Sequence, residues 1–349
     1  MLNYFIFFFC TQLVVVITLI YSKKRLKHSF CLDIQQTTVL IPFKNEKSRI
    51  LPLLNSINQS AINNKESNFM SNFQFIFIDD HSTDRTGQFI LDNLDVSFQI
   101  VKLKKTSGKK YAIKYGVEQS KFDKLLTLDA DVSFNDDYLQ EILNIECKGL
   151  TILPVEMNGV SSIQKLFAVE FWFLQHLTFG LAGLGKFELC NGSNLLFTKK
   201  IFNDALKVRK DASIPSGDDV FLLKAVKKLN LKVKAINSGS LCVYTPASAT
   251  FNNLFSQRLR WISKTKDISS IVMGSVVLVS NGIFLVCIYY TLMGNMYFSI
   301  PILIKVISEL LSVNSPLKWV IVVLHQLYYP VYLLVLIVML SSKRRVTWK

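Results

Sequence analysis

The chain has 349 residues, half of them hydrophobic, with 40 Lys and Arg against 25 Asp and Glu and a formal net charge of +15. A mean hydropathy of +0.32 excludes an ordinary, wholly soluble protein, and six cysteines scattered without a C-x-x-C pair argue against a disulfide framework or a thiolate metal centre. The basic excess does not indicate nucleic acid as a partner: many of these residues flank apolar segments, no zinc spacing, helix-turn-helix pattern or aromatic-basic RNA signature is present, and anionic lipid headgroups account for the charge.

In chain order, Leu2 to Tyr21 is uncharged and long enough to span a bilayer, and Lys23, Lys24, Arg25 and Lys27 follow directly. A cleaved signal would carry its positive charges before the apolar run. The order seen here predicts a permanent anchor over 1–22 with its C-terminal side in the cytoplasm. From about Thr37 to Trp261, short apolar strands alternate with helical spacing. Thr38 to Ile41 precedes Pro42, Phe73 to Ile78 precedes Asp79, Gln99 to Leu103 precedes a Lys-rich loop, and Leu125 to Leu128 precedes Asp129. The alternation predicts an α/β domain over 33–267 with a mostly parallel central sheet and flanking helices. Beyond it, 268–341 reads as a membrane region with spans at Ser270–Met293 and Val320–Leu340 and an interfacial or re-entrant segment at Met296–Ser312. A basic cytoplasmic tail over 342–349 closes the chain.

In open parallel sheets, ligands bind beyond the carboxyl ends of the strands, and polar clusters stand at these ends. Asp129 and Asp131 leave an extended chain on the same side, so their charges must be balanced there. A divalent cation bound to a phosphate does this with one or two protein carboxylates. Lys109 follows Gly108 ahead of a helix, where backbone amides and an ammonium favour an anion; without that setting, Lys104 to Lys110 would be a solvated basic run.

Taken together, IPFKNE (41–46), IDDHSTDRT (78–86), SGKKYAIKYG (107–116), LDAD (128–131), CNGSN (190–194), SGDDVFL (216–222) and QRLRW (257–261) resemble the membrane-bound family 2 glycosyltransferases, which have the GT-A nucleotide-sugar-binding fold. The resemblance covers roughly Thr37 to Trp261. It implies donor contacts from Pro42, Glu46, Asp79 or Asp80, Lys109, Asp129, Arg258 and Arg260, and a Mg or Mn ion held by Asp129 and Asp131. Asp219, with Asp218 beside it, takes the place of the general base. Asn191, Gly192 and Trp261 fall on the acceptor side. Lys114 departs from the family pattern, which has Asn there, and Asp218 replaces the commoner Glu. His81 and His176 read as structural, His176 at an interface beside Phe171 and Trp172.

The function so implied is inverting transfer from a nucleotide-sugar, a UDP-hexose by expectation, to a lipid or lipid-linked glycan. The enzyme would be an integral protein of a bacterial inner membrane with its catalytic domain in the cytoplasm, and a homo-oligomer is compatible with this. A processive polysaccharide synthase is the alternative within the family, and an inactive scaffold subunit is the alternative outside it. Intact acids at Asp129, Asp131 and Asp219 argue against the scaffold.

Overall fold

The computed structural model describes residues 34–64, 68–209, 218–262, 281–312 and 316–341. The expected anchor, the basic tail and the first part of the span at Ser270–Met293 lie outside them. The four apolar runs form strands β1 (Thr37–Phe43), β2 (Phe73–Asp79), β3 (Phe98–Lys102) and β4 (Lys124–Leu128). Every residue of β1, β2 and β4 is buried, which explains why they read as continuous apolar runs rather than alternating ones. Strands β6 (Leu150–Ile152), β8 (Asn194–Thr198) and β9 (Val233–Ala235) extend the sheet to the order β3-β2-β1-β4-β8-β6-β9. Four of its six ladders are parallel and the two made by β8 are antiparallel, so the sheet is mixed.

Helices α1 (Leu51–Asn63), α2 (Thr86–Asn93), α3 (Lys109–Gln119), α4 (Tyr138–Asn144), α6 (Lys199–Val208) and α7 (Asp218–Lys228) lie between the strands. In α1, Leu53, Leu54, Ile57 and Ser60 form the buried stripe, a helical spacing visible in the sequence. A second, three-stranded sheet in the order β5-β10-β7 joins Ser133–Phe134, Val243–Pro246 and Val155–Asn158.

Lys124 opens β4 yet is buried. Its ammonium bonds the Ile142 carbonyl and reaches those of Leu143 and Ile145 at 3.4 and 2.8 Å, which places a positive charge on the C-terminal dipole of α4. Lys124→Met would leave these carbonyls without that donor and should cost about 2–4 kcal/mol in denaturant unfolding. A loss under about 0.5 kcal/mol would show that other donors replace the ammonium.

The described residues divide into two compact units, one of 34–157 and 185–246 and the other of 158–184 and 247 onward. The predicted domain over 33–267 therefore contributes two helical stretches to the second unit. These are α5 (Ser162–Gly183) and α8 (Phe251–Ile262), which join α9 (Asn281–Leu292), α10 (Ser299–Ser312) and α11 (Pro316–Ser341). A capping box starts α5: Ser161 Oγ accepts the Gln164 N–H at 3.2 Å and Gln164 Oε1 accepts the Ser161 N–H at 3.0 Å. Phe167, Leu254, Leu259, Tyr332 and Leu336 form a buried core in this unit. Helix α11 bends by 48° between Gln326 and Tyr328, where Pro330 cannot donate to the carbonyl of residue 326.

Candidate active site

The ladders on the two sides of β1 end at different heights. Pairing with β2 runs to Phe43 opposite Asp79, while pairing with β4 stops at Leu40 opposite Thr127. Pro42, which lacks an N–H, lies beyond this last rung with β4. The chain order also turns here, with β2 and β3 laid to one side of β1 and β4 to the other. This is the switch point at which an open α/β sheet has its ligand crevice.

The loops at this end hold one another. Asn45, with φ +54°, donates its N–H to Ser82 Oγ at 3.1 Å, and its Oδ1 accepts the Thr83 N–H at 2.8 Å. The N–H groups of Glu46 and Lys47 donate to Thr86 Oγ1 and Asp84 Oδ2 at 2.9 and 3.0 Å. Asp79 accepts the Ser82 N–H at 2.8 Å. Asp80 is fully buried: its Oδ2 accepts Ser107 Oγ–H at 3.0 Å and the Gly108 N–H at 2.9 Å, and its Oδ1 lies 3.0 Å from His81 Nδ1. Gly108 adopts φ +119°, open to glycine without strain, and so turns the chain into α3 with Lys109 as its first residue.

Lys109 Nζ bonds Asp129 Oδ1 at the end of β4. On the other side, β8 begins with Asn194 opposite Leu128, which brings the Asn191-Gly192-Ser193 turn alongside. Asn194 is buried and fixed by bonds to the Pro154 and Leu241 carbonyls and from the Tyr138 hydroxyl, at 2.7, 2.9 and 2.7 Å. Asn191 Oδ1 accepts Ser193 Oγ–H at 2.7 Å. Gly192 donates its N–H to Asp219 Oδ2 at 3.1 Å. A Cβ on Gly192 would stand 3.2 Å from Asp219 Cβ and 3.5 Å from Lys109 Nζ, so this turn packs closely between Asp219 and Lys109. Asp218 opens α7 and Asp219 follows in its first turn.

Residues 38–153, about a third of the chain, match the family described as glycosyl transferase family 2. This segment is a family 2 glycosyltransferase domain. Among solved structures, the chain is similar to the mannosyltransferase PcManGT from Pyrobaculum calidifontis in complex with GDP-Man and Mn2+, at 13% identity over 98% of each chain with a TM-score of 0.55, a likeness of fold. S. aureus TarS 1–349 in complex with UDP is 16% identical over 69% of each chain with a TM-score of 0.39. No curated protein matches the sequence.

The family 2 segment contains Pro42, Glu46, Asp79, Asp80, Lys109, Asp129 and Asp131, whereas Asn191, Gly192, Asp218 and Asp219 come from chain beyond it. Three of its acids, Glu46, Asp129 and Asp131, are close enough to feel one another's charge. Burial, and after it the Asp131 and Asp129 charges, push the Glu46 carboxyl up to about 7 against the pull of Arg49. Burial and the Asp129 charge likewise raise Asp131 above the ordinary carboxylate range. Two carboxylates, all-oxygen and adjacent, suit a hard divalent cation that takes its other ligands from phosphate and water. Among the described residues no three His, Cys, Asp or Glu side chains converge as a complete protein cage. Asp129 and Asp131 would hold the ion.

Arg258, Arg260 and Trp261 lie on α8, in the other unit. Arg258 is buried there: its Nε donates to Glu170 Oε2 at 3.0 Å, its guanidinium lies 4.2 Å from the centre of the Trp261 ring, and Tyr332 OH is 3.4 Å from the other Glu170 oxygen. His176 Nδ1 sits 2.9 Å from the Trp172 carbonyl on its own helix.

Sequence reading did not find Arg49, whose Nη1 is 3.2 Å from Asp131 Oδ2 and whose Nη2 bonds Glu46. Nor did it find the role of Ser107 and Asn45 in tying the loops. The i, i+3 spacing of Glu46 and Arg49 was the available signal.

Proposed function

We propose that the protein is a membrane-anchored, inverting glycosyltransferase that moves a hexose from a nucleoside-diphosphate sugar to a lipid or lipid-linked acceptor. One observation carries the reading. The Asp219 carboxylate, the Gly192 N–H, the Lys109 ammonium and Asp129 stand together at the switch point, so a base and a diphosphate site face one crevice.

The acceptor hydroxyl oxygen attacks the anomeric carbon, the bond from this carbon to the diphosphate oxygen breaks, and the diphosphate keeps the electron pair. Asp219 takes the hydroxyl proton. A single displacement inverts the anomeric centre. Lys109 sits where an ammonium can follow the growing negative charge on the leaving group. A divalent cation on Asp129 and Asp131 would supply Lewis acidity to the same diphosphate. Between the adjacent acids where β2 ends we assign Asp79 to the nucleoside side, because both oxygens of Asp80 are engaged in holding the loops of His81, Ser107 and Gly108. Pro42 forms the neighbouring wall.

The membrane reading draws on the bent α11, whose two halves taken together are apolar and long enough to cross a bilayer. Leu292, Met296, Tyr297, Leu303, Leu334 and Val338 on the C-terminal helices are exposed, as lipid-facing residues would be. The positive flanks of the apolar segments favour a cytoplasmic side for the catalytic unit.

The test is nucleotide release by the full chain in native-lipid nanodiscs, across UDP- and GDP-sugars with Mg or Mn. Release from one donor, abolished by chelation, is the expected result, and the product's size separates one transfer from the many of a polysaccharide synthase. If no donor binds at all, the inactive scaffold replaces this reading.

A further inference from the structure

Arg49 belongs to none of the sequence clusters, yet it is a cation on Asp131. Its Nη1 reaches Asp131 Oδ2 at 3.2 Å, its Nη2 bonds Glu46 Oε1, and its side chain is half exposed. The backbone beneath it is fixed. The N–H groups of Arg49 and Ile50 both donate to the Glu46 carbonyl, at 2.8 and 2.9 Å, and Ile50, Leu53 and Leu54 are completely buried behind that turn. A long side chain open to solvent is thus mounted on a rigid base, and its partner is one of the two carboxylates assigned to the cation.

A guanidinium and a divalent cation repel each other and use the same oxygens, so they compete for Asp131. We infer that Arg49 is a displaceable stand-in for the divalent ion. It neutralises Asp131 and Glu46 before the donor arrives, gives up Asp131 to the metal, and then pairs with the diphosphate that comes with it. This rests on the reading of Asp129 and Asp131 as metal ligands. Metal alone must dislodge Arg49 with nothing offered in return, whereas metal with a nucleoside diphosphate supplies the guanidinium with a new bidentate partner. Arg49 would therefore make metal and nucleotide binding depend on one another, each strengthening the other by the same factor.

The test measures Mn2+ binding by electron paramagnetic resonance, and UDP and GDP binding at saturating Mn2+, on the full chain in nanodiscs. Arg49→Ala should bind Mn2+ alone about fivefold tighter, because a half-exposed charge no longer competes for Asp131. It should bind the nucleotide about fivefold more weakly, because the diphosphate is deprived of a charge-assisted hydrogen bond. Arg49→Lys, which keeps the charge but not the fork, should fall between wild type and Arg49→Ala on both readouts. A merely structural arginine would weaken both on removal, and that outcome, or an unchanged Mn2+ affinity, overturns the inference. If the wild type binds neither Mn2+ nor a Mn2+-dependent nucleotide, the metal reading of Asp129 and Asp131 fails first and this inference goes with it.

Discussion

Asp219→Asn should bind the sugar nucleotide at least as tightly as the wild type and lose transfer by about 10²–10⁴-fold, the usual contribution of a positioned general base. The substitution is chosen for what it keeps. An amide oxygen can still accept the Gly192 N–H that now goes to Asp219 Oδ2 at 3.1 Å, giving up only the bond from the neighbouring Val220 N–H to Oδ1 at 2.9 Å, so the turn beside Asp129 keeps its tie to α7. What it removes is a proton acceptor and one negative charge near the Lys109 ammonium. Removing that charge eases the approach of a diphosphate, so affinity should hold or rise while turnover falls. Separate measurement of donor affinity and nucleotide release gives the answer. Equal turnover in the two proteins would take the base role away from Asp219. A parallel loss of affinity would mean that the residue holds the Gly192 turn and acts through it.

The parts of this crevice differ in how far a sequence shows them. Strands β1 to β4 were legible because each is a run of apolar residues ended by a polar cluster, and three of them are buried throughout. Their ends gave Asp129, Asp131 and Lys109 for the same reason. Strands β5, β6, β7, β9 and β10 were not legible: they have two to four residues each, too short for a period to register, while β8 is as long as β4 but follows the CNGSN cluster instead of ending in a polar one. Asp80 reads as an acceptor for a nucleoside, and the structure shows its Oδ2 tied to Ser107 and Gly108, 27 and 28 residues away. Arg258 is a similar case. By position alone it fits a diphosphate contact or a membrane anchor, the full pentad favours the former, and its partner Glu170 is 88 positions back on another helix. Propensity and motif fix where a side chain starts, and only tertiary packing decides which of two partners receives it. The run over Phe167 to Phe179 reads as an aromatic, helix-like stretch, and it lies within α5. Its capping box at Ser161 and Gln164, with the S-x-x-Q spacing that marks a helix start, is present in the sequence and signals the 22-residue helix.

Asp131→Ala should abolish the dependence of donor binding on Mn2+ and weaken affinity in its presence by about 10²-fold or more, because one of two protein oxygens on the cation is removed. The loss must be distinguished from damage to the fold, and electrostatics supplies the distinction. Burial and Asp129 raise the Asp131 pKa, so its ionised form is less favourable in the folded chain than in the unfolded one. A raised carboxylate pKa penalises folding once pH exceeds the unfolded value, and the penalty vanishes as pH falls below it. Without metal, the variant should therefore be as stable as the wild type or more so near pH 7–8, and the difference should close toward pH 4. Thermal unfolding across this range reads stability, and Mn2+-dependent nucleotide binding reads the site. A variant that is stable but indifferent to Mn2+ would fit the ligand role, since an interaction that costs the empty protein stability is retained for what it binds. Full Mn2+-dependent affinity in a stable Asp131→Ala would remove Asp131 from the ligand set and leave Asp129 alone to hold the cation, with Lys109 as its competitor.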